Sequence, residues 1–166
     1  MRIGQWVLLA VTILSARCSG GSRHLTAARA AEVDKEVRGF AGDVAHGVTQ
    51  EGPFAWRRYF ADSPEFFMAV EGRLAFPNGA SAMAAMPEIA RTFKRIELDW
   101  GDDLRVDPLA PDLAAIAASY HETQTRATGE RVEENGYFTG IAEYKGGRWQ
   151  FRNAHWSAAV PPPAVR

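Results

Sequence analysis

The chain has 166 residues, of which 46% are hydrophobic and 23% charged, enough for one hydrophobic core but hardly for two. Its 19 basic residues oppose 20 acidic ones without any block of like charge, which argues against a nucleic-acid partner or binding to an anionic membrane surface. The composition predicts one domain with a solvated surface.

The first residues have the order of a secretory signal. Arg2 precedes an almost uncharged apolar run, residues 3–16, that ends in small residues. The run is too short for a comfortable membrane span, which needs about 20 residues. We therefore expect export to the periplasm or cell envelope, with residues 1–22 as signal peptide and Ser/Gly linker.

Cys18 is the only cysteine of the chain, so an internal disulfide is excluded. Residues 14–18 resemble the lipidation site of bacterial lipoproteins, from which Ser15 and Arg17 depart. Three alternatives stay open: a lipid on Cys18, ordinary cleavage nearby, or an uncleaved tether. Apart from this N-terminal segment, no membrane association is expected.

Two helices are predicted before any strand. Residues 25–48 carry apolar side chains at spacings of four, three and four, which form one face of a helix that Gly47 can end. Pro53 suits the first turn of a second, aromatic-rich helix that stops before Pro64.

A short hairpin and a third helix follow. Residues 65–76 have the apolar and aromatic density of strands, with a turn at Glu71 and Gly72. Residues 81–93 return to helical spacing, and Ser81 is the expected cap of the first turn.

The rest of the chain predicts long strands. Residues 96–107 alternate between apolar and polar side chains, with a bend at Gly101 and Asp102. Residues 112–125 suit a central strand, because they have no charge between Asp112 and Glu122 and are rich in alanine. By alternation, Asp99 faces outward.

The clearest hairpin joins residues 132–144 to residues 149–157 through Gly146 and Gly147. A two-residue turn there pairs Tyr144 with Trp149, Ala142 with Phe151, Gly140 with Asn153 and Phe138 with His155, all on one face. His155 is therefore expected to point into the core, unless a β-bulge between Phe151 and His155, for which Asn153 is the candidate, turns it outward. The opposite face places Tyr137 beside Trp156, an aromatic patch that a partner subunit would cover.

The order of these elements resembles the nuclear transport factor 2 (NTF2)-like superfamily, within it the SnoaL-like and DUF4440-type proteins. The resemblance covers about residues 31–157, and its most specific pieces are residues 106–114, 136–139, 147–151 and 155–157. It implies an α+β fold over residues 25–158, in which a curved antiparallel sheet wraps around N-terminal helices and leaves a pocket. It also implies a homodimer through the outer sheet face. Residues 159–166 are expected to form an extended Pro-rich tail.

Three side chains are candidates for catalysis. A neutral imidazole such as that of His155 can exchange a proton at ordinary pH. Tyr120 and Glu122 share a strand face and can supply a hydroxyl donor and a carboxylate, the pair that an enolisation needs. The alternatives are a partly buried structural His155 and a solvent-exposed Glu122.

Seven aromatic residues are candidates for the lining of an apolar pocket, although plain core is the commoner role of such residues. The four histidines are scattered and no metal-ligand spacing occurs, so neither a metal site nor a cofactor is predicted. The candidate pocket residues are Trp56, Tyr59, Phe66, Phe76, Trp100, Phe138 and Phe151.

Three hypotheses about function follow. The first is an exported domain that binds a small apolar ligand without catalytic machinery. The second is an isomerase or dehydratase acting on an apolar carbonyl compound through His155 with Tyr120 or Glu122. The third is a purely structural homodimer.

Overall fold

The computed structural model describes residues 25–159. The predicted leader, Cys18 and all but the first residue of the predicted tail lie outside these residues. Within them, none of the helices has the length and apolar character that crossing a membrane requires.

The described chain contains three helices, a single 3₁₀ turn and seven strands, in the predicted order of helices, hairpin, helix and long strands. The helical elements are α1 (Ala27–Glu51), the 3₁₀ turn (Pro53–Ala55), α2 (Trp56–Tyr59) and α3 (Gly79–Thr92). The strands are β1 (Phe67–Val70), β2 (Arg73–Phe76), β3 (Phe93–Trp100), β4 (Arg105–Ala110), β5 (Leu113–Arg126), β6 (Arg131–Lys145) and β7 (Arg148–Ala158).

All strands belong to one curved sheet that does not close into a barrel. Its order is β2-β1-β7-β6-β5-β3, and β4 pairs with the first half of β5. Neighbouring strands are antiparallel except β1 and β7, which run parallel. The helices pack on the concave face, so the α+β architecture agrees with the sequence prediction.

The core lies between α1, α2 and the concave face. Alternation along β5 buries one side chain in two, as the apolar pattern requires. At the centre, the ring of Phe151 lies 4.8 Å from that of Phe40 on α1 and 5.1 Å from that of Phe138 on β6, measured between centroids. These aromatic contacts hold the first helix against the sheet.

Helix α1 is longer than predicted. Gly47 does not end it but lies inside it, where an added Cβ would come within 2.1 Å of the Tyr59 hydroxyl oxygen. The helix ends at Glu51 and is capped by Gly52, whose φ of 77° is a positive value that favours glycine. The glycine at position 47 therefore allows α1 to pack closely against Tyr59.

Two further boundaries differ from the prediction. Helix α3 is capped by Asn78, whose side chain accepts the Ser81 backbone N–H, and Ser81 bonds back in a capping box. The segment predicted as one bent strand is divided between β3 and β4 by a turn at residues 101–104. Asp99 is exposed on the outer face, as alternation predicts.

The last hairpin contains a β-bulge that changes its faces. Tyr144 pairs with Trp149 and Ala142 with Phe151, as predicted, but Ile141 then pairs with Asn153. Arg152 is the extra residue, and the Asn153 Oδ1 accepts the Ile141 backbone N–H at 3.0 Å. Beyond the bulge, the side chains alternate in the opposite sense to the prediction.

Candidate functional site

A cavity of about 320 Å³ lies between the concave sheet face, α2, α3 and the β1–β2 hairpin. Its wall is mostly apolar and aromatic, and its polar groups are concentrated on β5 and β6. Such an interior cavity with few polar groups is typical of small-molecule sites. The lining consists of Trp56, Phe60, Met68, Val70, Glu71, Phe76, Met86, Ile89, Phe93, Ile96, Glu122, Gln124, Glu134 and Trp156.

Glu122 is the most deeply buried acid of the cavity, with 8% of its surface exposed. Strand alternation places it on the concave face with Tyr120, as the sequence predicts. Its Oε1 accepts a hydrogen bond from the Gln124 Nε2 at 2.6 Å. Burial raises the pKa of Glu122 from 4.5 to about 7, opposed by the Gln124 bond and reinforced by the charge of Glu134.

Glu134 pairs with Glu122 across the β5–β6 ladder. Tyr120 donates its hydroxyl proton to the Glu134 Oε1 over 2.6 Å. Burial and this bond raise the pKa of Tyr120 well above its usual range. The carboxylate that Tyr120 contacts is therefore Glu134, and not the predicted partner Glu122.

His155 does not point into the cone, so the predicted orientation was wrong. It is exposed on the convex face, because the bulge at Arg152 shifts alternation by one residue. Trp156 takes the inward position instead and is 9% exposed, which also corrects its predicted place beside Tyr137. A proton transfer shared by His155 and Glu122 would have to cross the sheet.

Of the seven predicted pocket aromatics, Trp56 and Phe76 line the cavity. Phe66, Phe138 and Phe151 are fully buried in the core. The Tyr59 hydroxyl donates to the Asp43 carbonyl oxygen of α1 at 2.7 Å, and the Trp100 indole N–H donates to the Ala41 carbonyl oxygen at 2.8 Å. These last five side chains hold the fold together and do not line the cavity.

The described residues contain no group of His, Cys, Asp or Glu side chains arranged to hold a metal ion. The two glutamates that pair across the ladder share this cavity with a third acid, Glu71, and no histidine is among the described lining residues. The chemistry that the cavity offers is thus that of carboxylates, one amide, indole rings and apolar side chains.

The sequence matches no family model and no curated protein. Solved structures do resemble the described fold. An NTF2-like protein from Salmonella enterica serovar Typhimurium is 12% identical and superposes with a TM-score of 0.61 over 84% of this chain and 96% of its own. The chain has the NTF2-like fold.

Two other solved structures also resemble the described fold. The hexachlorocyclohexane dehydrochlorinase LinA-type3 from Novosphingobium barchaimii is 12% identical, with a TM-score of 0.63 over 85% of this chain and 97% of its own. A Caulobacter vibrioides protein described as having a cystatin-like fold is 14% identical, with a TM-score of 0.60 over 78% and 92%. At such identities the likeness establishes the fold and no activity.

The NTF2-like resemblance inferred from sequence is thus confirmed for the fold, whereas the narrower DUF4440 assignment stays a prediction. Sequence reasoning missed Glu134, Gln124 and Phe60 as cavity residues. Glu134 had a usable signal, since the turn around Gly129 joins β5 to β6 and brings Glu134 opposite Glu122. The sequence offers no comparable signal for Phe60, whose place depends on the packing of α2.

Proposed function

We propose that the protein binds a small, largely apolar molecule in the cavity between the helices and the concave sheet face. One observation carries this proposal: an aromatic-lined space inside the core holds the buried Glu122 opposite Glu134. A carboxylate buried in a mostly apolar lining costs stability, so a site of this kind is better explained by a ligand than by folding.

Calorimetric titration of the full chain with neutral 4-phenyl-1-butanol and with 4-phenylbutylamine tests this proposal. Ile89→Trp narrows the cavity and should abolish the binding of both compounds. Glu88→Trp is the matched control, since Glu88 is the neighbouring residue of α3 and its side chain is 70% exposed. Binding that survives Ile89→Trp unchanged would place the ligand elsewhere.

A second candidate function is proton transfer in an isomerase- or dehydratase-like reaction. Glu122 favours it, because a buried carboxyl group whose pKa is about 7 can accept or donate a proton near neutral pH. Glu122 would remove a proton next to a carbonyl group. Incubation with 2-phenylcyclohexanone in D₂O tests it: exchange should exceed the buffer rate and disappear in Glu122→Gln.

We further propose that two copies pair through the convex sheet face. Tyr137 and Phe67 expose 43% and 46% of their surfaces there, and large aromatic side chains in contact with water favour association. Light scattering should give the mass of a dimer for the wild-type chain and that of a monomer for Tyr137→Asp. A monomeric wild-type protein at micromolar concentration would contradict this pairing.

We also propose that the domain works outside the cytoplasm, in the periplasm or cell envelope. The support is the charged-then-apolar order of residues 1–16 and the position of Cys18 after it. Mass spectrometry of the protein recovered from cell fractions tests the proposal. A lipid-bearing N-terminal cysteine, absent in Cys18→Ser, indicates an anchored form, whereas an intact Met1 in the cytoplasmic fraction would contradict export.

A further inference from the structure

The charged residues among the described cavity lining are all acidic. Ten of the 14 lining residues are apolar or aromatic, and three of the other four, Glu71, Glu122 and Glu134, are acids. No lysine, arginine or histidine is among the described lining residues. Neither Glu122 nor Glu134 forms an ion pair with any residue in the range 25–159. The cavity thus has carboxylates without a counter-charge of its own.

One carboxylate oxygen is free to meet a ligand. The Glu122 Oε1 accepts from Gln124, whereas its Oε2 has no hydrogen-bond partner in the described chain. Every fully sealed side-chain nitrogen or oxygen atom of residues 25–159 does have a partner. The Oε2 is therefore accessible, although only 8% of the surface of Glu122 is exposed, and Glu122 lines the cavity.

Aromatic rings share the cavity lining with these acids. Trp56 and Trp156 both line the cavity, with their ring centroids 5.7 Å apart and their planes at 83°. The face of an indole ring attracts a positively charged group, the more so where water is excluded. Rings and carboxylates thus favour the same kind of ligand.

We propose that the cavity binds a ligand with an apolar body and a positively charged nitrogen, an ammonium group that lies against Glu122 and Glu134. This inference rests on the proposed small-molecule function and names the ligand class for that site. The cation supplies the charge that the lining lacks, while the body of the ligand contacts apolar side chains such as Met68, Met86 and Ile89. A carboxylate-bearing ligand of the same shape would be repelled.

Three ligands of one shape test the proposal: 4-phenylbutylamine, 4-phenyl-1-butanol and 4-phenylbutyrate, titrated calorimetrically into the full chain. The amine should bind at least tenfold more tightly than the alcohol, and the carboxylate should bind most weakly. The preference for the amine should grow as the pH rises through 7, because Glu122 ionises there in the presence of Glu134, Glu71 and the un-ionised Tyr120. This pH series needs no variant.

A pair of single variants locates the charge. Glu122→Gln should reduce the preference for the amine over the alcohol to less than threefold. Glu133→Gln is the control, because the Glu133 side chain precedes Glu134 on the opposite face of β6 and is 62% exposed. It removes one charge without touching the cavity, so the preference should persist.

The outcomes separate the two proposals. If the alcohol binds as tightly as the amine and Ile89→Trp abolishes both, the cavity is a ligand site but the inference about a cation is wrong. If the amine is preferred equally in wild type and Glu122→Gln, Glu122 does not bind the ammonium group and the inference also fails. If no compound binds in the cavity, both proposals are contradicted.

Discussion

Glu122 and Glu134 lie directly opposite each other on neighbouring strands, and both line the same apolar cavity. Paired residues of an antiparallel ladder have Cα atoms about 4.5–5.5 Å apart, so two ionised carboxylates at these positions repel each other. Tyr120 donates its hydrogen bond to Glu134 and not to Glu122. Burial and the charge of Glu134 raise the pKa of Glu122.

The raised pKa of Glu122 predicts how the stability of the protein depends on pH. Below pH 4.5, Glu122 is protonated in both the folded and the unfolded state and contributes no penalty. Between pH 4.5 and about 7, the unfolded chain releases the proton while the folded chain keeps it, so this group's contribution to stability falls as the pH rises. Above about pH 7, Glu122 is ionised in both states, and the folded state bears the full free-energy cost of burying the carboxylate.

Glu122→Gln should therefore stabilise the protein at high pH. The gain in unfolding free energy should be about 2–4 kcal/mol at about pH 9 and near zero at about pH 4, as measured by guanidinium unfolding. Glu133→Gln should show no such pH-dependent gain. A Glu122→Gln variant that is equally destabilised at both pH values would show that burial of this carboxyl group carries no ionisation penalty.

Gly136 and Gly42 should respond to alanine in opposite directions. A Cβ at Gly136 would lie 2.1 Å from the Ser157 carbonyl oxygen and 2.6 Å from the Tyr120 ring, so the strands or the ring must move. Gly136→Ala should cost about 1–3 kcal/mol. Gly42 is exposed within α1 with no atom near its Cβ position, so Gly42→Ala should add about 0.5–1 kcal/mol.

Thermal and urea unfolding of the two glycine variants measure these changes. Because Tyr120 lies against Gly136, the Gly136→Ala variant should also disturb the hydrogen bond from Tyr120 to Glu134. If the stability of Gly136→Ala were unchanged, this would contradict the close contact of Gly136 with β7 and with the Tyr120 ring.

Much of this fold could be predicted from the sequence, because the periodicity of apolar residues and the residue types that favour turns are local properties of the chain. The spacing of Val33, Val37 and Val44 predicts the buried face of α1, and paired glycines predict the last hairpin with its first two pairings. The sequence marks Asn153 as a possible bulge position but does not decide whether a bulge forms, and one extra residue at Arg152 inverts all later side chains, His155 included. Cavity residues were predicted only partly, since helix packing decides which aromatics border a space and which fill it.

One side chain, that of Asn153, forms a hydrogen bond across the bulge. Asn153→Ala removes the oxygen that accepts the Ile141 N–H and should lower the unfolding free energy by about 1–2 kcal/mol in urea. Asn153→Asp keeps an acceptor at the same position and should cost less. Equal losses in the two variants would show that the side-chain oxygen does not support the bulge.

The most direct test of a ligand site inside the cone is the NMR spectrum of the tryptophan indole N–H groups during titration with 4-phenylbutylamine, after assignment by single Trp→Phe variants. Trp56 and Trp156 border the cavity, whereas the Trp149 indole N–H donates to Glu36 at 3.0 Å, away from it. We expect the signals of Trp56 and Trp156 to shift saturably while that of Trp149 stays in place. Saturable binding that moves Trp149 and leaves the signals of Trp56 and Trp156 unchanged would contradict a ligand site in this cavity.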